Sequence, residues 1–327
     1  MKKNICVVGY GSIGPSHTTS LSKIENVNLY GICDIDCEKA DRGALQYNCK
    51  AFYRFEDCLK DENIDTIHIC TPHYLHYEMI EQCLAAGKEV VTEKPVTMKQ
   101  EEFELLLANH KDKPIAVVMQ NRTNNCVKAL KEIIDTDSSL GKLLCVKGFL
   151  TWHRDASYYD HGANWRGHYR YAGGGALINQ SIHTLDLMIY LCGNVKNVQA
   201  SMSNKSLQGI IEVEDTVDAF LQFENGAAGI FYATNAYGKN SRPQLEFEFE
   251  HASFQYRDGD LYRNGELICS DDRNYSGKDY WGSGHGRLFY DLYTNQKAFT
   301  IEDVRNTMET MFNMYASANT ERKSYEL

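Results

Sequence analysis

Three groups of residues have the types and spacing to do chemistry on a small polar molecule. Lys94 follows the β-prone run Glu89-Val90-Val91-Thr92 and is flanked by Glu93 and Pro95. Proline restricts the residue before it, so the Lys94 ammonium is expected to be aimed into a cleft, where a fixed cation stabilises an alkoxide. Asn179 and His183 are spaced i, i+4, with Asp186 three residues further on. In an α-helix these share one face, and an imidazole there can act as acid or base near neutral pH. A lone histidine can equally be a satisfied core residue. Here Leu177, Ile182, Leu185, Leu187 and Ile189 surround it with apolar positions.

The third group is Gly9-Tyr10-Gly11-Ser12-Ile13-Gly14, directly after the apolar run Lys3 to Val8. By itself G-x-G-x-x-G is a common glycine turn; its setting between a strand and a helix gives it meaning. A second strand, Val27 to Cys33, ends in Asp34, 20 residues beyond Gly14, where a carboxylate accepts hydrogen bonds from an adenosine ribose. The glycines permit close approach of a pyrophosphate to the N–H groups of a helix N-terminus, and Pro15 suits the first turn of that helix. Asp34 would repel a 2′-phosphate, and Ile35, Asp36 and Cys37 supply no arginine to bind one, so NAD is favoured over NADP. The competing reading of Asp34 is a cap on the next helix.

The elements that must position these groups alternate through the first 120 or so residues. Strands are expected at Lys3 to Val8, Val27 to Cys33, Ile64 to Cys70, Glu89 to Thr92 and Ile115 to Met119, with a helix over His76 to Ala86. That is an α/β pattern, a doubly wound parallel sheet whose ligands bind beyond the strands' carboxyl ends. Thr71-Pro72, Glu93-Lys94-Pro95 and Gln120 fall there. From Arg122 a helix (Cys126 to Ile134), a strand (Leu144 to Leu150) and the glycine triplet Gly173-Gly174-Gly175 lead to strands at Val198 to Ser203, Thr216 to Phe223, Ala227 to Ala233, Gln244 to Phe249 and Leu261 to Ile268. Short Gly or Asn turns join them, as in an open, mostly antiparallel sheet. The expected division is a Rossmann domain over residues 1–121 and an α/β domain for substrate binding and oligomerisation over 122–327. The terminal helix, Val304 to Thr320, carries a core stripe of Met308, Met311, Phe312 and Tyr315 and is expected to pack back on the first domain.

Composition narrows the partners. With 34 Lys and Arg against 44 Asp and Glu the net charge is −10 and no basic run exists, so nucleic acid is not expected. No stretch is apolar enough to span a bilayer and no signal peptide is evident, which points to the cytoplasm. Eleven cysteines are dispersed without a C-x-x-C pair, so reduced thiols are expected and no metal.

The chain resembles the glucose-fructose oxidoreductase / inositol dehydrogenase / rhizopine catabolism protein family over nearly its whole length. The resemblance rests on the glycine turn, Thr71-Pro72-His73-Tyr74-Leu75-His76, Glu93-Lys94-Pro95, Trp165-Arg166 and the run from Gly173 to Asp186. It implies that Lys94 binds the reacting hydroxyl and that His183 is the acid or base. It also implies that His76, Trp165 and Arg166 lie against the cofactor, that Arg122 reaches toward the substrate and that His285 holds a recurrent position. Polyol dehydrogenases of the family often carry an aspartate four residues before the histidine; Asn179 stands here and cannot stabilise an imidazolium by charge. The implied activity is hydride transfer between NAD and a sugar, cyclic polyol or sugar derivative, by a homodimer or homotetramer. Two other readings are a glycosidase or lyase that retains NAD and oxidises its sugar transiently, and a non-catalytic NAD-sensing regulator. The segment His153 to Tyr171, rich in Tyr, His and Asp, is a candidate for contacting hydroxyl groups.

Overall fold

Val- and Ile-rich runs buried on both faces form parallel strands, and the first half of the chain has them in alternation with helices. The order is β1 (Lys3–Val8), α1 (Gly14–Leu21), β2 (Val27–Cys33), α2 (Cys37–Tyr47), β3 (Lys50–Phe52), α3 (Phe55–Lys60), β4 (Thr66–Ile69), α4 (His76–Ala85), β5 (Glu89–Thr92), α5 (Gln100–His110) and β6 (Ile115–Val117). All pair in parallel in the sheet order β3-β2-β1-β4-β5-β6, which reverses direction between β1 and β4. All four residues of β4 are buried, His68 among them.

The computed structural model describes residues 2–160, 165–273 and 284–325. It separates into two compact units, Met1–Gln120 with Gly284–Val304, and Asn121–Ser283 with Arg305–Leu327. The first division falls between Gln120 and Asn121, after the sixth strand, and the tail is shared between the two units. Gly284–Val304 returns to the first unit, because Leu288 and Phe289 sit in the same core as Ile5, Val7, Leu21 and Val91, and Val117 N–H bonds the Phe299 carbonyl (2.7 Å). The terminal helix stays with the second unit.

That unit runs α6 (Asn125–Thr136), β7 (Leu143–Thr151), α7 (Ala156–Asp160), α8 (Tyr169–Ala172), a π-helical turn (Ala176–Ser181), α9 (Ile182–Cys192), β8 (Val195–Ser203), β9 (Thr216–Phe223), β10 (Ala228–Thr234), β11 (Gln244–Phe249), β12 (Ser253–Arg257), β13 (Asp260–Arg263) and β14 (Glu266–Ser270). In the tail, α10 (Gly284–Asn295) packs on α1 of the first unit, and α11 (Arg305–Tyr325) packs on β8 and α9 of the second. The eight strands are ordered β14-β13-β12-β11-β7-β10-β9-β8, antiparallel except for the parallel pair β7–β10. Burial alternates along β9 and β11, so helices cover one face. The single strand expected at Leu261 to Ile268 is instead the hairpin β13–β14, turning at Asn264 and Gly265, both at positive φ. All eleven cysteines are reduced.

Candidate active site

In the first unit the candidate residues collect at the carboxyl edge of the parallel sheet. Gly9 leaves β1 at φ 93°, and a Cβ there would fall 2.6 Å from the Cys70 carbonyl oxygen. A Cβ on Gly14 would collide with the Gly9 carbonyl, whereas one on Gly11 meets nothing within 4 Å. The turn is thus closed where it packs and open at Gly11, beside an α1 N-terminus that has no side-chain cap and no acidic residue in its first turn. Those features fit the pyrophosphate of a dinucleotide. Ser12 is exposed and Ile13 half-buried in the same turn.

Asp34 does not cap α2; Asp36 does, accepting from Lys39 N–H. The Asp34 carboxylate accepts the Tyr10 N–H (2.6 Å) and the Asp36 N–H (2.9 Å), which ties the end of β2 to the glycine turn.

Thr71 and Pro72 follow β4, and Glu93, Lys94 and Pro95 follow β5, with the Lys94–Pro95 peptide cis. His76 is fully buried and its two ring nitrogens face the Pro95 carbonyl (2.7 Å) and the Thr71 carbonyl (2.9 Å). It therefore braces these two loops. Burial lowers its pKa, against the two carbonyls that favour the imidazolium. Gln120 is buried in the turn after β6.

Sequence reading missed the cluster behind Lys94. His17, on α1, bonds Glu93 Oε1 through Nε2 (3.0 Å) and His68 through Nδ1 (2.9 Å); His68 Nε2 bonds the Tyr293 hydroxyl (2.6 Å). His285 Nε2 stands 3.8 Å from Glu93 Oε1. The ligating atoms of His17, Glu93 and His285 all lie within 4.8 Å of one another. A histidine within the buried run Thr66-Ile67-His68-Ile69 was the available signal.

In the second unit Asn179 and His183 are both half-buried, but not on one continuous α-helix. Residues Ala176–Ser181 form a π-helical turn before α9 begins, so Asn179 lies in that turn and His183 in the first turn of α9. Glu214 organises this entry: its carboxylate accepts the Gly175 N–H (2.8 Å), the Leu177 N–H (3.0 Å) and the Tyr315 hydroxyl (2.8 Å). Burial pushes its pKa up, while these donors pull it down. A Cβ on Gly174 would strike the Tyr315 hydroxyl and one on Gly175 the Glu214 carbonyl, which accounts for the glycines.

Arg122, expected to reach toward substrate, is 4% exposed and engages Asp186 through Nε (2.8 Å) and Nη2 (2.6 Å). Asp186 thus faces Arg122 and Thr307, and the reason is electrostatic: a buried carboxylate needs a buried cation. The Arg166 guanidinium lies over the rings of Trp165 (4.7 Å) and Tyr158 (5.6 Å). His161 and the stretch Trp281-Gly282-Ser283 lie outside the described residues.

Fold and site together define a two-unit oxidoreductase built on a dinucleotide-binding Rossmann sheet. The chain belongs to the GFO/IDH/MocA oxidoreductase family: the family's NAD-binding Rossmann-fold model matches residues 3–121 and its C-terminal domain model matches residues 127–255. NAD is accordingly its cofactor, and the chain is an NAD-dependent dehydrogenase. It is 29% identical over 321 residues to levoglucosan dehydrogenase of Pseudarthrobacter phenanthrenivorans, covering 86% of this chain and 81% of that one. Myo-inositol 2-dehydrogenase of Thermotoga maritima is 23% identical over 286 residues, covering 84% and 80%. Among solved structures, the WlbA dehydrogenase of Bordetella pertussis, in complex with NADH and UDP-GlcNAcA, superimposes with a TM-score of 0.83 at 24% identity over 98% of this chain and 97% of that one. That likeness establishes the fold. Among the described residues no helix is long and apolar enough to cross a membrane.

Proposed function

We propose that this enzyme oxidises a secondary hydroxyl of a sugar, cyclic polyol or sugar derivative, or runs the same reaction as a ketone reduction. Bound NAD supplies the hydride acceptor. The glycine turn Gly9 to Gly14, Asp34, Thr71, Pro72, Lys94 and Gln120 hold it, with His76 bracing the loops and the buried Glu93 carboxylate turned away to His17 and the Lys94 amide. Lys94 holds the substrate oxygen as its charge grows, His183 takes the hydroxyl proton and Asn179 orients the sugar or the imidazole. Because the Asn179 amide brings no charge, His183 is a weaker base than one paired with a carboxylate.

The observation that carries this reading is the placement of Lys94 at the end of β5, on the edge of the sheet that also bears the glycine turn and Asp34. The relatives that act on levoglucosan and inositol support a carbohydrate substrate. The outward face of β9 and β10 exposes Phe220 and Ile230, each 46% accessible, which supports assembly into a homo-oligomer through the open sheet. Reduced cysteines support a cytoplasmic setting.

The test is turnover of His183→Ala and Lys94→Ala with NADH affinity measured on the same preparations. Each variant is expected to lose about two orders of magnitude or more in kcat while still binding NADH. Full turnover in either removes that residue from the mechanism.

A further inference from the structure

The buried cluster behind Lys94 has no part in the reaction as written, yet it is bonded to the residue that does. We propose that Glu93 is a positioning residue for Lys94, held in place by His17 and His285, an inference that rests on the role given to Lys94 above. Glu93 Oε2 accepts the backbone N–H of Lys94 (3.3 Å), while Oε1 accepts from His17 and faces His285. On the far side of Lys94, the Pro95 carbonyl is bonded by His76. Lys94 is therefore pinned at its own amide and again one peptide later, which fixes the stem from which its ammonium extends.

The proton inventory of the cluster supports a hydrogen-bonded clamp. Burial by itself would raise the Glu93 carboxyl, but the hydrogen bonds from His17 and His285 outweigh it and hold Glu93 well below the ordinary carboxylate range. Burial lowers His17 and lowers His68 further, so both imidazoles are neutral. A carboxylate only accepts, so His17 Nε2 must donate to it and His17 Nδ1 must accept. His68 Nδ1 then donates to His17, and His68 Nε2 accepts from the Tyr293 hydroxyl. Every donor points toward Glu93, in a wall formed by Phe289, whose ring centroid lies 4.7 Å from that of His17 and 5.0 Å from that of His68. His285, Phe289 and Tyr293 all come from the segment that returns to the first unit after Ser283. That return completes the clamp and gives His285 its role.

The competing occupant is a divalent cation bound by His17, Glu93 and His285, whose ligand atoms are near enough to hold one. The experiment separates the two. Glu93→Gln, His17→Leu, His17→Gln and Lys94→Ala are assayed beside the wild type with NAD and a panel of levoglucosan, myo-inositol and UDP-sugars, together with NADH affinity by fluorescence and zinc content by elemental analysis. Glu93→Gln and His17→Leu are expected to lower kcat about tenfold or more, as a misplaced catalytic group does, with NADH affinity within about twofold of wild type. His17→Gln, whose amide donates from near the position of the lost Nε2–H, recovers most of the kcat. Where Glu93→Gln does not fold, the two His17 variants carry the comparison. Wild-type kcat in Glu93→Gln or His17→Leu, NADH binding lost in step with kcat, or stoichiometric zinc in the wild type would each overturn the inference. A Lys94→Ala variant with full turnover refutes the reaction assigned to Lys94 instead; a crippled Lys94→Ala beside an unaffected Glu93→Gln refutes the positioning alone.

Discussion

The Arg122–Asp186 pair gives the sharpest stability test, because the same substitution separates a structural role from a substrate contact. Both partners are buried, at 4% and 1% side-chain exposure, and two hydrogen bonds join them. Arg122→Met keeps the apolar stem against the Tyr190 ring, over which the guanidinium now sits at 4.7 Å, but leaves Asp186 with the Thr307 hydroxyl (2.8 Å) as its other bonded group. Removing one partner of a buried pair costs about 3–5 kcal/mol. At about 2–4 °C per kcal/mol for a unit of this size, the midpoint should fall by roughly 6–20 °C. The double variant Arg122→Met/Asp186→Leu removes both charges and should return to within about 2 kcal/mol of wild type. Urea unfolding of wild type, both singles and the double completes the cycle. A single variant that loses less than about 1 kcal/mol, or one that keeps its stability and raises the KM for sugar, would refute the structural assignment.

Other outcomes follow from the first unit. Gly9→Ala places a side chain at φ 93° and 2.6 Å from the Cys70 carbonyl, so it should cost about 1–3 kcal/mol and weaken NADH binding; calorimetry and an NADH titration check both. Ile35 is 92% exposed beside Asp34, so Asp34→Ala with Ile35→Arg should shift the NADP-to-NAD preference by about tenfold or more, read from kcat/KM with each cofactor. His17 and His68 are held neutral by burial, whereas the unfolded chain takes up protons near pH 6.5. Their contribution is therefore present above about pH 6.5 and lost as pH falls, at up to about 1.4 kcal/mol per pH unit for each histidine, with lowered Glu93 adding the same sign below its unfolded pKa. Unfolding at about pH 7 and about pH 5.5 should show this slope, and His68→Leu should flatten it; an unchanged slope contradicts the assignment.

What was legible in the sequence was local. The turn from β1 into α1, the strand ending at Asp34 and the loop carrying Lys94 each announce themselves through a short run of residue types with one backbone solution. Asp34 shows the limit of that reasoning, since an acidic residue before a helix can bind ligand or cap, and in the folded chain Asp36 takes the cap. The hairpin at Asn264-Gly265 was readable, because Asn-Gly suits two consecutive positive φ angles, yet the apolar run across it reads as one strand. The π-helical turn was not readable, because it is imposed by Glu214 and Tyr315 from distant parts of the chain. The same holds for the clamp on Glu93: His17 and His68 each read as an ordinary core histidine, and the resemblance that marks His285 gives it no partner, because the three are far apart in the sequence.

The central claim is that Lys94 serves oxidation of a carbohydrate hydroxyl by NAD, and the most direct measurement is NADH formation by wild type and Lys94→Ala side by side over the sugar and polyol panel. The account predicts stoichiometric NADH from at least one carbohydrate with the wild type and a loss of about a hundredfold in the variant. Equal rates from the two proteins, or cleavage of an aryl glycoside with no net NADH, would contradict it.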